Sequence, residues 1–227
     1  MIQVINIIND IQKLSGKYQT WEVFSDFCEM SAIAISNSID KENWEERENR
    51  YLEITKKYEK EELGVFPQMF SYLVVTLQHH AENGKLDDVL GQIFHELNLH
   101  SKWKSQYFTP MSVCNVMGVM ALNNCDEVID QKGYITIYEP CVGSGATVLG
   151  AVNTLIDKGY DRSKHVLVTA TDIDLKCVHM AYIQLSLYGI PAVIIHGNTL
   201  TMEKWSTWIT PLYVLHNLNN KANGAVI

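Results

Sequence analysis

Apolar residues recur at helical spacing through the first hundred positions of the chain. Gaps of three and four between apolar positions are typical of a helix that packs one face against a core. The pattern predicts helices over residues 4–14, 21–32, 44–58, 70–77 and 86–97, with breaks at Gly64, Pro67 and Asn83-Gly84. None of these helices indicates chemistry by itself, and we expect their aromatic residues to belong to the core.

The periodicity changes after about residue 105, where short apolar runs alternate with helical stripes. Strands are predicted at Tyr134–Glu139, His165–Thr171 and Ala192–His196, and helices at Ser144–Asp157 and Leu175–Tyr188. This alternation is typical of a parallel sheet covered by helices, and right-handed crossovers give the strand order 3-2-1. The sequence therefore predicts an α/β fold, with a helical N-terminal region over residues 1–100 and an α/β domain over residues 101–227.

The net charge and its distribution along the chain argue against a protein that binds DNA by itself. The chain of 227 residues has a formal net charge of −8; residues 1–100 hold 17 acidic and 9 basic residues, whereas residues 101–227 hold nine of each. Phosphate contacts supply most non-specific DNA affinity, so a protein that grips DNA alone usually has a basic surface. If this protein acts on DNA, we expect another subunit to hold the DNA.

Apolar runs and cysteine usage favour a cytoplasmic location without a membrane anchor. The N-terminus MIQVINIIND lacks a basic region and a cleavage site, and no apolar run reaches the roughly 18 residues of a membrane span. The five cysteines include no CxxC pair, and we expect them to be reduced and mostly buried. The histidines show no common zinc-ligand spacing, so no metal site is predicted.

The strongest local motif is EPCVGSG at Glu139–Gly145, between a predicted strand and a predicted helix. Glycines let a backbone approach a ligand closely, and the N-terminus of the next helix offers free N–H groups. A GxG turn also occurs in dinucleotide folds. The acidic residue ahead of this turn suits a ligand with an α-amino group better than it suits a pyrophosphate.

Acidic residues follow the second strand in the segment TDID at 171–174. A carboxylate there can accept bonds from both hydroxyls of a ribose, whereas the alternative is a cap on the following helix. We assign the ribose to Asp172 and the cap to Asp174, and Ile173 can pack on an adenine ring. Asn198, after the third strand, has a side-chain oxygen that can accept a bond from an adenine amino group.

The segment SQYFTP at 105–110 lies directly before another predicted helix. Thr109 at the N-cap and Pro110 at the first helical position are typical of a helix start. As a cap, Thr109 needs no further function. A carboxylate of a ligand would also be well placed near this helix N-terminus.

Together, QYFTP, EPCVGSG, ATDID and GNTL resemble the DNA adenine N6-methyltransferases, and most of all the modification subunit of type I restriction–modification systems. The resemblance covers roughly residues 86–205. It implies a partial Rossmann-like methyltransferase sheet that binds S-adenosylmethionine. The cofactor-binding residues that it implies are Tyr107, Phe108, Thr109, Glu139, Pro140, Cys141, Gly143, Gly145, Asp172, Ile173 and Asn198.

In that family the Phe-Thr-Pro segment and the glycine motif bind the methionine part of the cofactor, and the acidic residue after the second strand binds the ribose. The resemblance therefore gives Phe108 and Thr109 the methionine part and Asp172 the ribose. The family usually has Asp where this chain has Asn198. The carbonyl oxygen of Asn can still accept a bond from the adenine amine.

The catalytic signature of the family, Asn-Pro-Pro followed by Tyr or Phe, is absent from the sequence. There, an Asn oxygen and a proline carbonyl accept the two hydrogens of the target adenine amine, and the aromatic ring stacks on the base. The nearest segment is TPLY, which makes Thr210, Pro211 and Tyr213 degenerate catalytic candidates. We expect a truncated sheet with Leu212–His216 as the candidate for a fourth strand. The sheet then either ends at this strand, beside the first, or leaves the first strand open.

Three hypotheses remain open, the last of which is a truncated fragment with only structural significance. In the first, the protein is an adenine N6-methyltransferase subunit that reaches DNA through a partner. In the second, it keeps the cofactor pocket but has lost transfer chemistry, and senses the cofactor or binds another protein. Because an apolar edge strand is seldom left bare, we also expect a homodimer or a complex with a partner chain.

Overall fold

The computed structural model of the protein describes residues 2–99 and 107–222. Six helices come first: α1 (Ile2–Leu14), α2 (Thr20–Asn37), α3 (Trp44–Thr55), α4 (Lys60–Leu63), α5 (Val65–Glu82) and α6 (Val89–Glu96). The rest are α7 (Met111–Ala121), α8 (Cys125–Lys132), β1 (Ile135–Glu139), α9 (Ala146–Asp157), β2 (Val166–Asp172), α10 (Leu175–Leu187), β3 (Ala192–Asn198), β4 (Glu203–Ile209) and α11 (Pro211–Ala222). The predicted positions Ser105 and Gln106 lie outside the described residues.

The predicted helices of the first hundred residues are confirmed, with two adjustments. Pro67 does not interrupt a helix, because it lies in the first turn of α5, where its missing N–H has no intrahelical partner to lose. The short helix α4 precedes α5, and a capping box between Glu59 and Glu62 stabilises the N-terminus of α4.

The sheet has four strands in the order β1-β2-β3-β4. β1, β2 and β3 are parallel, with Ile135 opposite Val166 and Val168 opposite Ala192, so the predicted order of these three strands is confirmed. β4 runs antiparallel to β3 and lies beside it rather than beside β1.

The prediction of a fourth strand at Leu212–His216 is wrong, because these residues belong to α11. Proline at the first helical position, Pro211, favours the helix start, since its φ is already helical and its missing N–H would be unpaired there. The true fourth strand is the preceding segment, Glu203–Ile209. Consequently β1 has only β2 as a strand neighbour among the described residues.

The helical region and the sheet share one hydrophobic core. Its buried members run from Ile7 in α1 to Trp208 in β4, and α10 packs against helices α2, α5 and α6 as well as against the sheet. α7 packs on α9 and crosses it so closely that a Cβ on Gly118 would overlap the backbone of Gly150. No helix in the described part of the chain combines the length and the apolar character needed to cross a membrane.

Candidate functional site

Polar side chains meet at the carboxyl ends of the three parallel strands. β1 ends at Glu139, β2 at Asp172 and β3 at Asn198. Glu139 lies opposite Ala170, and Asp172 lies opposite His196, so neighbouring strands end at nearly the same level. In open parallel sheets this edge is where ligands bind.

The EPCVGSG segment forms a tight turn that leads from β1 into α9. Gly143 has φ 55° and Gly145 has φ 104°, the left-handed region that favours glycine. A Cβ on Gly143 would lie 3.1 Å from Cδ1 of Phe108, which already covers the turn. Both glycines are therefore required by the local geometry, and Gly143 is the partly exposed one of the two.

The carboxylate of Glu139 is half-buried and bound to its own turn. Oε1 accepts a bond from the backbone N–H of Cys141 at 3.0 Å, and Oε2 accepts one from the Thr147 hydroxyl at 2.8 Å. These two donors fix the carboxylate, and each oxygen keeps a lone pair for a cationic or N–H donor. Thr147, on α9, has no motif in the sequence that would have pointed to it.

Asp172 connects the end of β2 to the glycine turn. Its Oδ2 accepts a bond from the N–H of Gly143 at 2.8 Å, and Oδ1 accepts one from the N–H of Asp174 at 2.9 Å. Burial raises the pKa of Asp172, and these N–H donors offset part of that rise. Asp174 caps α10 through the N–H of Lys176, as predicted.

Asn198 is placed at the predicted edge, but its carbonyl oxygen is occupied. Oδ1 accepts bonds from the N–H groups of Leu200 at 2.9 Å and Thr201 at 3.3 Å. The side chain can therefore offer a ligand its amide hydrogens, which suit a ring nitrogen of adenine better than the adenine amine. The next residue, Thr199, donates to the carbonyl of Pro140 at 2.6 Å and joins the β3 loop to the glycine turn.

Phe108 lies between the glycine turn and α6. Its ring centroid is 4.8 Å from that of Phe94 and 5.8 Å from that of His95. Tyr107 is 69% exposed. The predicted N-cap is wrong by one position: Pro110 occupies the cap of α7, whose first residue is Met111, and Thr109 precedes it.

An exposed apolar side chain completes the edge. Ile173 follows Asp172 and is 61% exposed, unlike the buried Ala170 of the preceding strand. A flat apolar ring bound there would remove this side chain from water. Cys141 is also exposed, whereas the four other cysteines are buried; no disulfide joins any of the five, all of which lie in the described part of the chain.

Thr210, Pro211 and Tyr213 are not brought together with these residues. The hydroxyl of Thr210 accepts a bond from the N–H of Ala192 at 2.8 Å and donates to the carbonyl of Ile190 at 2.9 Å. Ala192 begins β3, so Thr210 lies at the amino edge of the sheet, roughly 20 Å from the carboxyl edge for a strand of this length. Thr210 is fully buried.

The donors and acceptors at the carboxyl edge fit the chemistry of S-adenosylmethionine. The cofactor carries an ammonium group, a carboxylate, two ribose hydroxyls and an adenine ring. The edge offers a carboxylate beside a glycine turn, a second carboxylate after β2, an amide after β3 and an exposed aliphatic side chain. A Cβ on Gly143 would press against the ring of Phe108, so glycine lets this ring pack closely over the turn.

A comparison with family models identifies the relationship. The model of the N-6 DNA methylase family matches residues 83–222. The chain belongs to the N-6 DNA methylase family. The match begins inside the helical region, ahead of α6, and includes α6, α7 and the whole sheet. No curated protein and no solved structure matches the chain.

Membership of this family bears out the resemblance found in the four motifs. It supports a DNA N6-methyltransferase-like function and an α/β fold with a helical N-terminal part and a mixed sheet. The boundary near residue 100 between a helical region and a methyltransferase domain stays a prediction.

Proposed function

We propose that this chain binds S-adenosylmethionine at the carboxyl edge of the sheet. The observation that carries the proposal is the meeting of the glycine turn, Glu139 and Asp172 at one edge, joined by the bond from Gly143 to Asp172. Members of the N-6 DNA methylase family use this cofactor. Each part of the proposed pocket therefore has a counterpart in the cofactor.

Different residues of the site bind different parts of the cofactor. Glu139 and the turn at Gly143 face its amino-acid part, with Phe108 as an apolar wall. Asp172 accepts bonds from the ribose hydroxyls, and Ile173 packs on the adenine. When bound, the cofactor supplies an electrophilic methyl group; the chain's own residues bind it and orient it.

We further propose that the protein acts in DNA adenine N6 methylation as part of an assembly similar to a type I modification subunit. The net charge of −8 supports a second subunit that holds DNA. The edge of β1 that has no strand partner among the described residues supports contact with another chain, either a second copy or a different partner. We place the protein in the cytoplasm, where its DNA substrate and reduced thiols are expected.

A second candidate function is cofactor binding without methyl transfer by this chain. It is favoured by the position of Thr210, whose hydroxyl bonds two backbone groups at the edge opposite the proposed pocket. A methyl-transfer site must hold the target amine beside the cofactor. The TPLY segment does not meet this condition, so transfer requires acceptor groups from elsewhere.

Calorimetry with S-adenosylmethionine tests the first proposal. We expect a single site per chain that is lost in the double variant Glu139→Ala/Asp172→Ala. Absence of heat with the folded wild-type protein, checked by circular dichroism, would end the proposal.

A transfer assay separates the two candidate functions. The chain, alone and with a cell extract from which it has been removed, is incubated with labelled cofactor and unmethylated duplex DNA. Label in N6-methyladenine supports the methyltransferase role, whereas cofactor binding without label under both conditions supports the binding role. A gel shift at moderate salt should show weak DNA binding without sequence preference, and light scattering tests the homodimer.

A further inference from the structure

A buried carboxylate on the helical side of the molecule contacts the glycine turn. Asp88 caps α6 by accepting a bond from the N–H of Gly91 at 2.9 Å. Its other oxygen accepts a short bond from the hydroxyl of Ser144, which lies between the two left-handed glycines of the turn. Asp88 is 4% exposed and Ser144 is 1% exposed, so no water competes for this bond.

Gln184 on α10 completes the connection. Its Nε2 donates to Asp88 at 2.8 Å and to the backbone carbonyl of Ser144 at 2.8 Å, and its Oε1 accepts from the N–H of Leu90 at 3.1 Å. Gln184 is fully buried. The side chain and the backbone of Ser144 are thus each held by a group outside the turn.

The segment that leads into α6 is itself hydrogen-bonded to α9 and α10. Asn153 of α9 bonds both the N–H and the carbonyl of Leu86, at 2.8 and 2.9 Å. The Tyr188 hydroxyl of α10 bonds the N–H and the carbonyl of Asp87. A Cβ on Gly91 would overlap the Asp88 carboxylate, so glycine at this position is what allows the carboxylate to lie over the helix.

The other end of α6 supports the opposite wall of the site. Phe94 is fully buried and packs against Phe108, which covers Gly143. One helix therefore contacts the glycine turn through Asp88 and the aromatic wall over that turn through Phe94.

We propose that Asp88 is a positioning residue: through Ser144, and together with Gln184, it holds the glycine turn in the conformation that receives the cofactor. A cap alone needs only the bond to Gly91. Asp88 accepts two further bonds, from the Ser144 hydroxyl and from Gln184 Nε2, and these connect it to the turn. The identity of the cofactor rests on the proposed function, but the effect of Asp88 on the turn does not.

Two substitutions separate capping from positioning. Asp88→Ser keeps an N-cap residue for Gly91 but is too short to reach Ser144 and Gln184. Asp88→Asn keeps the cap as well, and it also spans the distance: its oxygen accepts from Gly91 and Gln184, and its amide donates to the Ser144 hydroxyl. The two variants thus differ in the link to the turn.

The first measurement is hydrogen exchange of the backbone around Gly143–Gly145 in the full chain without ligand. We expect faster exchange of this turn in Asp88→Ser and exchange close to the wild-type rate in Asp88→Asn. The second is calorimetry with S-adenosylmethionine, where Asp88→Ser should bind about tenfold more weakly, as for loss of one charge-assisted hydrogen bond, and Asp88→Asn should bind nearly as well as the wild type.

The outcomes are distinct. Equal turn exchange in Asp88→Ser and Asp88→Asn would show that Asp88 acts only as a cap and would overturn the inference. If the wild-type protein does not bind S-adenosylmethionine, the proposed function fails while the exchange comparison still decides the role of Asp88. Ser144→Ala, which breaks the same link from the other side, should add little to Asp88→Ser, since both remove one interaction.

Discussion

The two edges of the sheet use hydrogen-bonded polar side chains in opposite ways. At the amino edge, Thr210 is fully buried and its hydroxyl is used by two backbone groups of the β3 start. At the carboxyl edge, both oxygens of Asp172 and Oε1 of Glu139 accept a backbone N–H, and Oε2 of Glu139 accepts a hydroxyl. These oxygens can each accept a further hydrogen bond.

This difference shows how a polar residue that stabilises a fold differs from one that can bind a ligand. A side chain whose donors and acceptors are all used inside the protein has no hydrogen-bonding capacity left for a ligand. A carboxylate that is positioned by the backbone, but not saturated by it, is ready for a ligand at little further cost in conformational entropy. If the two edges differ in this way, substitutions at one should change ligand affinity and substitutions at the other should change stability.

The largest expected effect is on the carboxyl edge. Asp172→Ala should weaken S-adenosylmethionine binding by about 1–3 kcal/mol, because the ribose hydroxyls lose their acceptor. Calorimetry measures the affinity. The control is Asp174→Ala, which removes the neighbouring carboxylate from its capping role and should lower thermal stability more than affinity. Equal losses of affinity in both variants would contradict the assignment of the ribose to Asp172.

At the amino edge the effect should fall on stability alone. Thr210→Val keeps the shape of the side chain but leaves the N–H of Ala192 without its acceptor, so the free energy of unfolding should drop by roughly 1–3 kcal/mol. Urea denaturation measures this change, and cofactor affinity should stay at the wild-type value. A loss of cofactor affinity in the folded variant would mean that the structure of the amino edge affects binding at the carboxyl edge, which contradicts the comparison.

The glycine turn allows a matched comparison of two left-handed glycines. Gly143→Ala places a Cβ 3.1 Å from Phe108, whereas Gly133→Ala at the end of α8 places one where nothing lies within 4 Å. Both variants carry a similar backbone strain of roughly 1 kcal/mol. We expect only Gly143→Ala to weaken cofactor binding, by about tenfold, since only there does the ligand wall move.

The smallest effect is a change in the reactivity of one thiol. Cys141 is the exposed cysteine, and the other four are buried, so maleimide labelling at mildly alkaline pH should modify Cys141 first. Partial burial, with Asp172 and Glu139 nearby, raises the pKa of this thiol and slows the reaction. S-adenosylmethionine should slow it further by covering the turn. Labelling that is indifferent to the cofactor would place the ligand away from Cys141.

The sequence by itself determined the sequential βαβαβ unit and the order of its three parallel strands. The reason is local: strands of β-branched residues alternate with helical stripes, and glycine at Gly143 and Gly145 is required by backbone conformation rather than by distant contacts. The local sequence also predicted different roles for two neighbouring carboxylates. Asp174 caps α10, and Asp172 reaches the glycine turn.

The sequence did not determine the structure after β3. Glu203–Ile209 lacks a clean alternation of apolar and polar residues and pairs antiparallel with β3, so the local pattern does not reveal this strand and favours a strand within α11 instead. Pairing partners are chosen by contacts distant along the chain, which the local pattern does not contain. For the same reason the TPLY segment resembles a catalytic motif in its letters but folds at the other edge of the sheet.

Only the tertiary structure revealed the supports of the site. The contacts of Asp88 with Gln184 and Ser144 join residues that are 96 and 56 positions apart, and Thr199 reaches Pro140 across 59 positions. From the sequence Asp88 is a plausible helix cap and no more, since side-chain hydrogen bonds depend on which helices pack together. Local chemistry therefore predicted the residues that we propose to face the ligand, whereas packing decided which residues hold them in place.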